Sequence, residues 1–366
     1  MTEESFELKV VDVVEETADA HSVSFEVPAG AEELFAYKPG QFLTLAVPSD
    51  RTGVAARCYS LSSSPIGGGP LTITVKRTAD GYASNWICDQ LREGDSIRVL
   101  PPSGIFTPAS LSADLLMFAG GSGITPVMSI IRTALAQGTG RIVLFYANRD
   151  ERSVIFAGEL TRLAAEHPDR LLVVHWLETV QGLPSQDQVR AFASAYTSYD
   201  AFACGPAPFM RLAVAALKEL GFPRERRHQE KFVSLGGNPF GDLHDREVAE
   251  HEIEDADRDL DDTGPTADDG TQPQGPVRLE VELDGQDYAF DDWAPGTKLL
   301  DHLESKGVRA PYSCREGECS ACAIRLLEGE VKMLHNDVLD DEDLADGIRL
   351  GCQSVPVTDV VKVTYH

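Results

Sequence analysis

The sequence predicts a multidomain chain: an antiparallel β-barrel or sandwich, then an α/β domain on a parallel sheet, then a small mixed sheet carrying a cysteine loop. Three observations carry this reading. Up to about residue 110, short alternating runs are punctuated by Pro and Gly; from Ala113, apolar strands alternate with helices; and four cysteines near the C-terminus fall into a ligand spacing. A length of 366 residues accommodates two or three domains, and 42% hydrophobic residues is ordinary for a globular chain. No apolar stretch approaches a membrane span. The start Met1-Thr2-Glu3-Glu4 has no apolar signal segment, so a cytoplasmic location without membrane contact is expected.

In the first region, residues 7–14, 22–27, 41–47, 71–77 and 96–100 read as short strands of regular spacing, which argues for an antiparallel barrel or sandwich over residues 1–110. In the second, over residues 111–240, apolar strands at 114–119, 141–147, 171–177 and 201–203 alternate with helices from Pro126, at 154–166 and at 208–220. Such alternation implies a parallel sheet covered on both faces, and these sheets bind nucleotides at the carboxyl ends of their strands.

Residues 241–276 hold thirteen Asp and Glu against Arg246 and Arg258, with almost no large apolar side chain. A run of this kind repels itself and reads as an extended linker, with an acidic docking arm as the alternative. The formal charge of −27 makes nucleic acid or anionic lipid an unfavourable partner, since repulsion from phosphate must be overcome before contact.

The last region, residues 277–366, opens with an alternating strand, a turn at Asp284-Gly285 and a second strand. A short helix over 297–306 follows, with Thr297 as its expected N-cap, and strands are expected at 323–327 and 360–365. Cys314, Cys319, Cys322 and Cys352 read Cys-x4-Cys-x2-Cys with a distant fourth, the plant-type [2Fe–2S] ligand pattern. Gly317, Ser320 and Ala321 are small enough to let backbone amides turn toward the sulfurs. A four-cysteine zinc site would pair two short Cys-x2-Cys steps, and a disulfide framework would suit a small secreted chain. The spacing therefore points to single-electron chemistry. Cys58, Cys88 and Cys204 are scattered and read as small core residues.

Two further stretches carry a resemblance. Arg57-Cys58-Tyr59-Ser60, with Val75-Lys76-Arg77 and Gly81-Tyr82-Ala83-Ser84-Asn85, resembles the flavin domain of the ferredoxin–NAD(P)H reductase superfamily. The resemblance implies that Arg57 pairs with a flavin phosphate, Tyr59 lies on the ring and Ser60 hydrogen-bonds its redox edge. It also implies FAD as cofactor, held further by Val75, Lys76 and a glycine turn at Gly81, Tyr82 and Ala83 whose helix Ser84 would cap. Guanidinium suits phosphate, and a rigid aromatic suits a flat ring.

Ala119-Gly120-Gly121-Ser122-Gly123-Ile124-Thr125-Pro126 follows a strand and opens a helix, the context a phosphate-binding loop needs. It is not GxGxxG. It is similar to the NAD(P) loop of the same superfamily, which implies that Gly121 and Gly123 approach the nucleotide, with Thr125 near the nicotinamide and Pro126 in the first helical turn. Cys204-Gly205-Pro206 resembles the segment opposite the flavin; the Cys204 thiol is a catalytic candidate, with close packing as its other role. Glu230-Lys231-Phe232 resembles the segment returning to the flavin edge, so Glu230 is a candidate polar contact and Phe232 a cofactor neighbour. The loop holding Arg149 and Asp150 carries both charges; NADH is expected over NADPH by resemblance.

The domain order is similar to reductase components of multicomponent oxygenases, with the last domain a β-grasp ferredoxin. RCYSLSSSP, VKRTADGYASNW, GSGITPVMSI, YANRDERSVIF and CREGECSACA are similar to reductases of 3-ketosteroid 9α-hydroxylases. The resemblance implies a route from NADH to FAD to [2Fe–2S] to a Rieske-type oxygenase in steroid degradation, served by a monomer. Flavin belongs between the other two because hydride brings two electrons and the cluster takes one. Reductases of phenylacetyl-CoA epoxidation share the layout, and a non-enzymatic redox sensor is a competing class. A flavin disulfide reductase would need a close cysteine pair near the flavin, which Cys58 and Cys88 do not supply. No two-His-one-carboxylate triad of suitable spacing is present in the sequence, and His335 reads as surface or core.

Overall fold

The computed structural model describes residues 5–49, 53–79, 81–232, 240, 273, 275–283, 285–308, 310–312, 315, 317, 320–336, 338, 339 and 341–365. Cys314, Cys319, Asp284 and the acidic run 241–272 therefore lie outside the described residues. None of the described helices is long and apolar enough to cross a membrane.

Strands β1 (Phe6–Thr17), β2 (Ala20–Glu26), β3 (Phe42–Ser49), β4 (Gly53–Ser60), β5 (Leu71–Lys76) and β6 (Ser96–Ser103) form one sheet in the order β4-β3-β6-β1-β2-β5. Each pairing is antiparallel. The outer strands meet where Leu61 bridges Ile73 and the Ser62 amide donates to the Thr72 carbonyl at 2.7 Å, closing the sheet on itself. Closure follows from alternation: Leu8, Val10, Val23, Leu43, Leu45, Ile73 and Val99 all point into one core from which water is excluded. Helix α1 (Tyr82–Gln90) plugs one end with Ala83, Ile87 and Cys88. The β4 strand was absent from the alternating runs because its inward and outward faces both carry small or polar residues.

The second unit runs β7 (Leu115–Gly120), α2 (Ile124–Gln137), β8 (Ile142–Asn148), α3 (Ala157–Glu166), β9 (Leu171–Leu177), α4 (Glu178–Gln181), α5 (Gln186–Ala193), β10 (Asp200–Cys204), α6 (Ala207–Glu219) and β11 (Arg227–Glu230). The sheet order is β11-β10-β7-β8-β9, all parallel. Along β7 the side chains divide by parity. Leu115, Met117 and Ala119 pack with the α2 and α3 side, whereas Leu116 and Phe118 pack with α5 and α6. The helix expected at 154–166 starts only at Ala157, because Phe156 takes a left-handed backbone (φ 60°) that buries its ring instead.

The third unit holds β12 (Val277–Leu283), β13 (Gln286–Trp293), α7 (Leu299–Ser305), β14 (Ala323–Glu328), β15 (Val331–Met333), α8 (Asp341–Ala345), β16 (Ile348–Leu350), β17 (Ser354–Pro356) and β18 (Val360–Thr364). Its sheet order is β13-β12-β18-β14-β16, with β12 and β18 parallel. Leu299, Leu300 and Leu303 of α7 lie on this sheet beside the buried Trp293. Thr297 does not cap α7. The N-cap is Lys298, without a side-chain bond, and the Thr297 carbonyl is engaged by the Trp293 indole at 2.9 Å.

The first two units are welded by polar contacts. Arg132 of α2 donates to the Ser62 carbonyl and pairs with Glu159 of α3 at 2.9 Å, with its guanidinium 5.1 Å from the Phe156 ring. Ser129 donates to the Ser63 carbonyl at 2.6 Å, and Ser64 bonds Thr133 at 3.0 Å.

Candidate functional site

The carboxyl ends of β7 and β10 diverge at the point where the sheet order reverses, and their two loops meet there backbone to backbone. A Cβ on Gly123 would stand 2.1 Å from the Cys204 carbonyl oxygen, and one on Gly205 would stand 2.9 Å from the Gly120 amide nitrogen. Only glycine permits this approach, and parallel sheets of this kind bind nucleotides in the crevice at such a switch point. Gly121 is left-handed (φ 51°), and its carbonyl accepts from the Tyr146 hydroxyl at 3.2 Å. Pro206 is the N-cap of α6, and Thr125 is buried with its hydroxyl on the Ser122 carbonyl at 3.1 Å. Pro126 stands in the first turn of α2.

Across the crevice, Lys76 at the end of β5 comes within 3.8 Å of the space beside Gly121, with Asp19 3.6 Å from its ammonium. The barrel and the glycine loop thus face one another. On β4 the side chains alternate, so Tyr59 packs against the barrel core while Ala56 and Cys58 turn to the opposite face. Burial pushes the Tyr59 phenol well above its ordinary range, against the pull of Arg57. Arg57 donates to the Ala56 carbonyl at 2.7 Å, and Ser60 is buried in register with Phe42. Val75 is buried in the barrel, with its carbonyl 3.8 Å from the Cys88 sulfur.

The turn before α1 differs from expectation in one respect. Gly81 is the N-cap and carries no side-chain bond; Ser84 is the third helical residue and accepts from the Thr78 amide at 3.1 Å. It braces the turn from within the helix. Ala83 is buried, and Tyr82 is half exposed, donating from its hydroxyl to the Pro48 carbonyl at 2.7 Å.

Cys204 and Glu230 are paired in register at the ends of β10 and β11. Both are buried. Burial, with Glu230 beside it, drives the Cys204 thiol far up, so the sulfur is a packed thiol. Burial alone raises the Glu230 carboxyl to about 8, so it is protonated at neutral pH and can donate a hydrogen bond. Phe232 is half exposed just beyond β11, and Lys231 turns away to donate to the Val338 carbonyl at 2.8 Å. Arg149 is exposed with Asp150 3.5 Å away; Asp150 itself accepts from the amides of Arg152 and Ser153.

Of the four cysteines expected as ligands, Cys322 and Cys352 are described, both buried, with the Cys352 amide donating to the Cys322 sulfur at 3.4 Å. Between Cys314 and Cys322 the chain turns through left-handed residues at Arg315 (φ 59°), Gly317 (φ 85°) and Ser320 (φ 53°). A Cβ on Gly317 would stand 2.8 Å from the His335 carbonyl oxygen. Buried thiols at Cys322 and Cys352, an amide aimed at sulfur and left-handed backbone at Arg315, Gly317 and Ser320 fit an iron–sulfur cluster. Ala321, fully buried beside Cys322, belongs to one apolar cluster with Phe42, Ala46, Ala56, Leu100 and Phe240. Ala321 therefore shares a cluster with the face of β4 opposite to Tyr59. Phe240, which no sequence motif marked, joins the two, with Arg98 5.0 Å above its ring.

Three family models match the chain: an oxidoreductase FAD-binding domain over residues 7–107, an oxidoreductase NAD-binding domain over 117–215 and a 2Fe-2S iron-sulfur cluster binding domain over 281–357. The "3-ketosteroid-9-alpha-monooxygenase, ferredoxin reductase component" of Rhodococcus rhodochrous is 52% identical over 98% of this chain and 96% of its own. The protein of that name from Mycolicibacterium smegmatis is 54% identical, again over 98% of this chain and 96% of its own. In fold, the chain is similar to phthalate dioxygenase reductase, with a TM-score of 0.56 at 24% identity over 99% of this chain and 98% of the other.

Proposed function

The chain belongs to the family of ferredoxin reductase components of monooxygenases, an oxidoreductase family with FAD-binding, NAD-binding and 2Fe-2S domains, and from that premise we propose that it serves a 3-ketosteroid 9α-hydroxylase. Its acceptor in this reading is a separate Rieske-type oxygenase component, and the protein works as a cytoplasmic monomer. Residues 1–110 hold FAD, 111–240 bind NADH, 241–276 are an acidic spacer and 277–366 carry the cluster on Cys314, Cys319, Cys322 and Cys352. FAD held by these residues would supply a centre that can take two electrons as one hydride from NADH and pass them on singly to a cluster.

The chain's own residues prepare each end of that route. Gly121, Gly123 and Gly205 open the switch-point crevice to a pyrophosphate and nicotinamide, and Thr125 and Pro206 fix its walls. Arg57 and Lys76 supply positive charge for phosphate, and Tyr59 and Ser60 place an aromatic face and a hydroxyl for the flavin ring. Protonated Glu230 offers a proton donor at the edge where Cys204 closes the crevice.

The observation that carries this reading is the packing of Ala321, next to ligand Cys322, in the same apolar cluster as Ala56 of β4. This packing supports a cluster held close to the proposed flavin strand. The test is NADH-dependent 9α-hydroxylation of a 3-keto-4-ene steroid by the purified holoprotein with a 3-ketosteroid 9α-hydroxylase oxygenase component, with NADPH in parallel. Coupling of NADH oxidation to hydroxylated product is expected. Reduction of flavin and cluster without product would overturn the steroid assignment and leave the reductase assignment standing.

A further inference from the structure

In a chain with 59 acidic and 32 basic residues, three cations gather on one edge of the nucleotide sheet. Lys218 ends α6, Arg224 lies in the turn that follows and Arg227 opens β11. Against them lies α8, the five-residue acidic helix of the ferredoxin unit. Glu342 pairs with Lys218 at 2.5 Å and with Arg227, whose second nitrogen is 3.3 Å from the other carboxylate oxygen. Asp343 pairs with Arg224, and Asp346 lies 3.9 Å from the same guanidinium. The Arg227 side chain is 6% exposed and further held by the Phe222 carbonyl at 3.0 Å, and the Asp343 side chain is 11% exposed. Arg227 holds the Glu342 carboxyl down at about 2, so the pair stays charged throughout the physiological range. His228, beside this edge, is half-buried, stacks on Phe202 and is pulled down to about 4 by burial, so it adds no charge at neutral pH.

Among the described residues, apolar contact between the ferredoxin unit and the barrel is slight by comparison: Ala321 joins a cluster with Phe240 and with Phe42, Ala46, Ala56 and Leu100 of the barrel, against which Val54 and Cys58 also pack. One small patch of this kind does not fix the position of a domain, whereas a six-member charge network with bidentate geometry fixes both distance and orientation. We propose that Lys218, Arg224 and Arg227 form a cationic seat for the acidic helix α8, and that occupancy of this seat sets how fast the cluster receives electrons from the flavin. The seat acts in cis, and its residues are positioning residues; Arg227 opens β11, at the other end of that strand from Glu230. It rests on the reductase reading above and adds what holds donor and acceptor together. Because Ala321 is fully buried in the seated position, that face of the cysteine loop becomes available to an outside acceptor only when the helix leaves its seat.

The experiment is anaerobic stopped-flow reduction of the full-length holoprotein by excess NADH, following flavin and cluster bleaching separately from low to high salt. Screening weakens attraction between opposite charges, so cluster reduction in the unmodified chain is expected to slow about tenfold while flavin reduction holds steady. In the double variant Glu342→Lys, Asp343→Lys, cluster reduction is expected to be slow at low salt and to rise with salt, because screening then relieves repulsion. Lys218→Glu with Arg224→Glu, made on the other unit, is expected to invert the salt dependence in the same way. Misfolding or cluster loss, checked by visible circular dichroism, cannot produce that inversion. A salt-independent cluster rate in the unmodified chain, or the same falling salt dependence in both variants, overturns the seat. Failure of NADH to reduce flavin or cluster at all would instead overturn the reductase reading.

Discussion

At the scale of single residues, the consequences follow from what each side chain meets. Glu230 has a carboxyl raised to about 8 by burial, against an ordinary value of 4.5. A carboxyl held protonated by the fold contributes stability that is fully present below the ordinary value and is lost as pH rises through 8. Glu230→Gln keeps the shape without the ionisation, so its thermal midpoint should change little at pH 5 and exceed that of the unmodified chain at pH 8.5. Thermal unfolding of the apoprotein at the two pH values reads this directly; equal differences at both would place the carboxyl in contact with solvent. Gly123→Ala meets a different limit, since its Cβ would lie 2.1 Å from the Cys204 carbonyl oxygen, an atom of the backbone that cannot rotate away. The two loops must part, at a cost of about 1–3 kcal/mol. The displaced crevice should raise KM for NADH by about tenfold, measured with ferricyanide as acceptor.

At the scale of elements, the weld between barrel and nucleotide domain depends on α2. Arg132 is about four-fifths buried and shared between Ser62, Glu159 and Phe156. Arg132→Ala strands the Ser62 carbonyl and leaves Glu159, 28% exposed, with only Arg162 at 3.9 Å, and should lower stability by about 1–3 kcal/mol in urea unfolding. It should also slow flavin reduction by NADH more than Arg132→Lys does, because the lysine keeps the charge but not the fork. Elements of this kind differ in how far sequence reveals them. The strands and helices of the parallel sheet were legible because apolar runs such as Leu115–Gly120 are buried on both faces. The cysteine loop was legible because ligand spacing is local. Neither Phe240 nor the pairing of Glu342 with Arg227 was legible, since the latter partners are 115 positions apart and each reads alone as an ordinary surface charge. Arg224, Arg226 and Arg227 against Asp341, Glu342 and Asp343 form the one signal, and charge runs of that size are common on solvated faces. The caps at Ser84 and Thr297 failed for a narrower reason: each helix begins one or more residues away from the polar side chain expected to start it.

At the scale of the whole molecule, the three units have separate cores, and this separation has a measurable consequence. The barrel closes around Leu8, Phe25 and Leu45, the nucleotide sheet around Met117 and Phe118, and the ferredoxin sheet around Leu279 and Trp293. Cys322 and Cys352 belong to the last of these cores alone. Removing iron should therefore loosen the ferredoxin unit, whose loop loses the ligand that ties its sulfurs together, and leave the other two folded. Electron transfer should divide along the same line. After anaerobic chelation, NADH reduction of ferricyanide, which can accept directly from a flavin, should persist at near its original rate. Reduction of cytochrome c, or of an oxygenase component, should fall by at least about tenfold if the cluster is the obligatory exit. Reconstitution with ferrous iron and sulfide should restore the second activity without changing the first. Parallel loss of both activities would mean that the ferredoxin unit supports the flavin barrel through the Phe240 and Ala321 contact, and the cluster would then be structural to the flavin site as well as its electron acceptor.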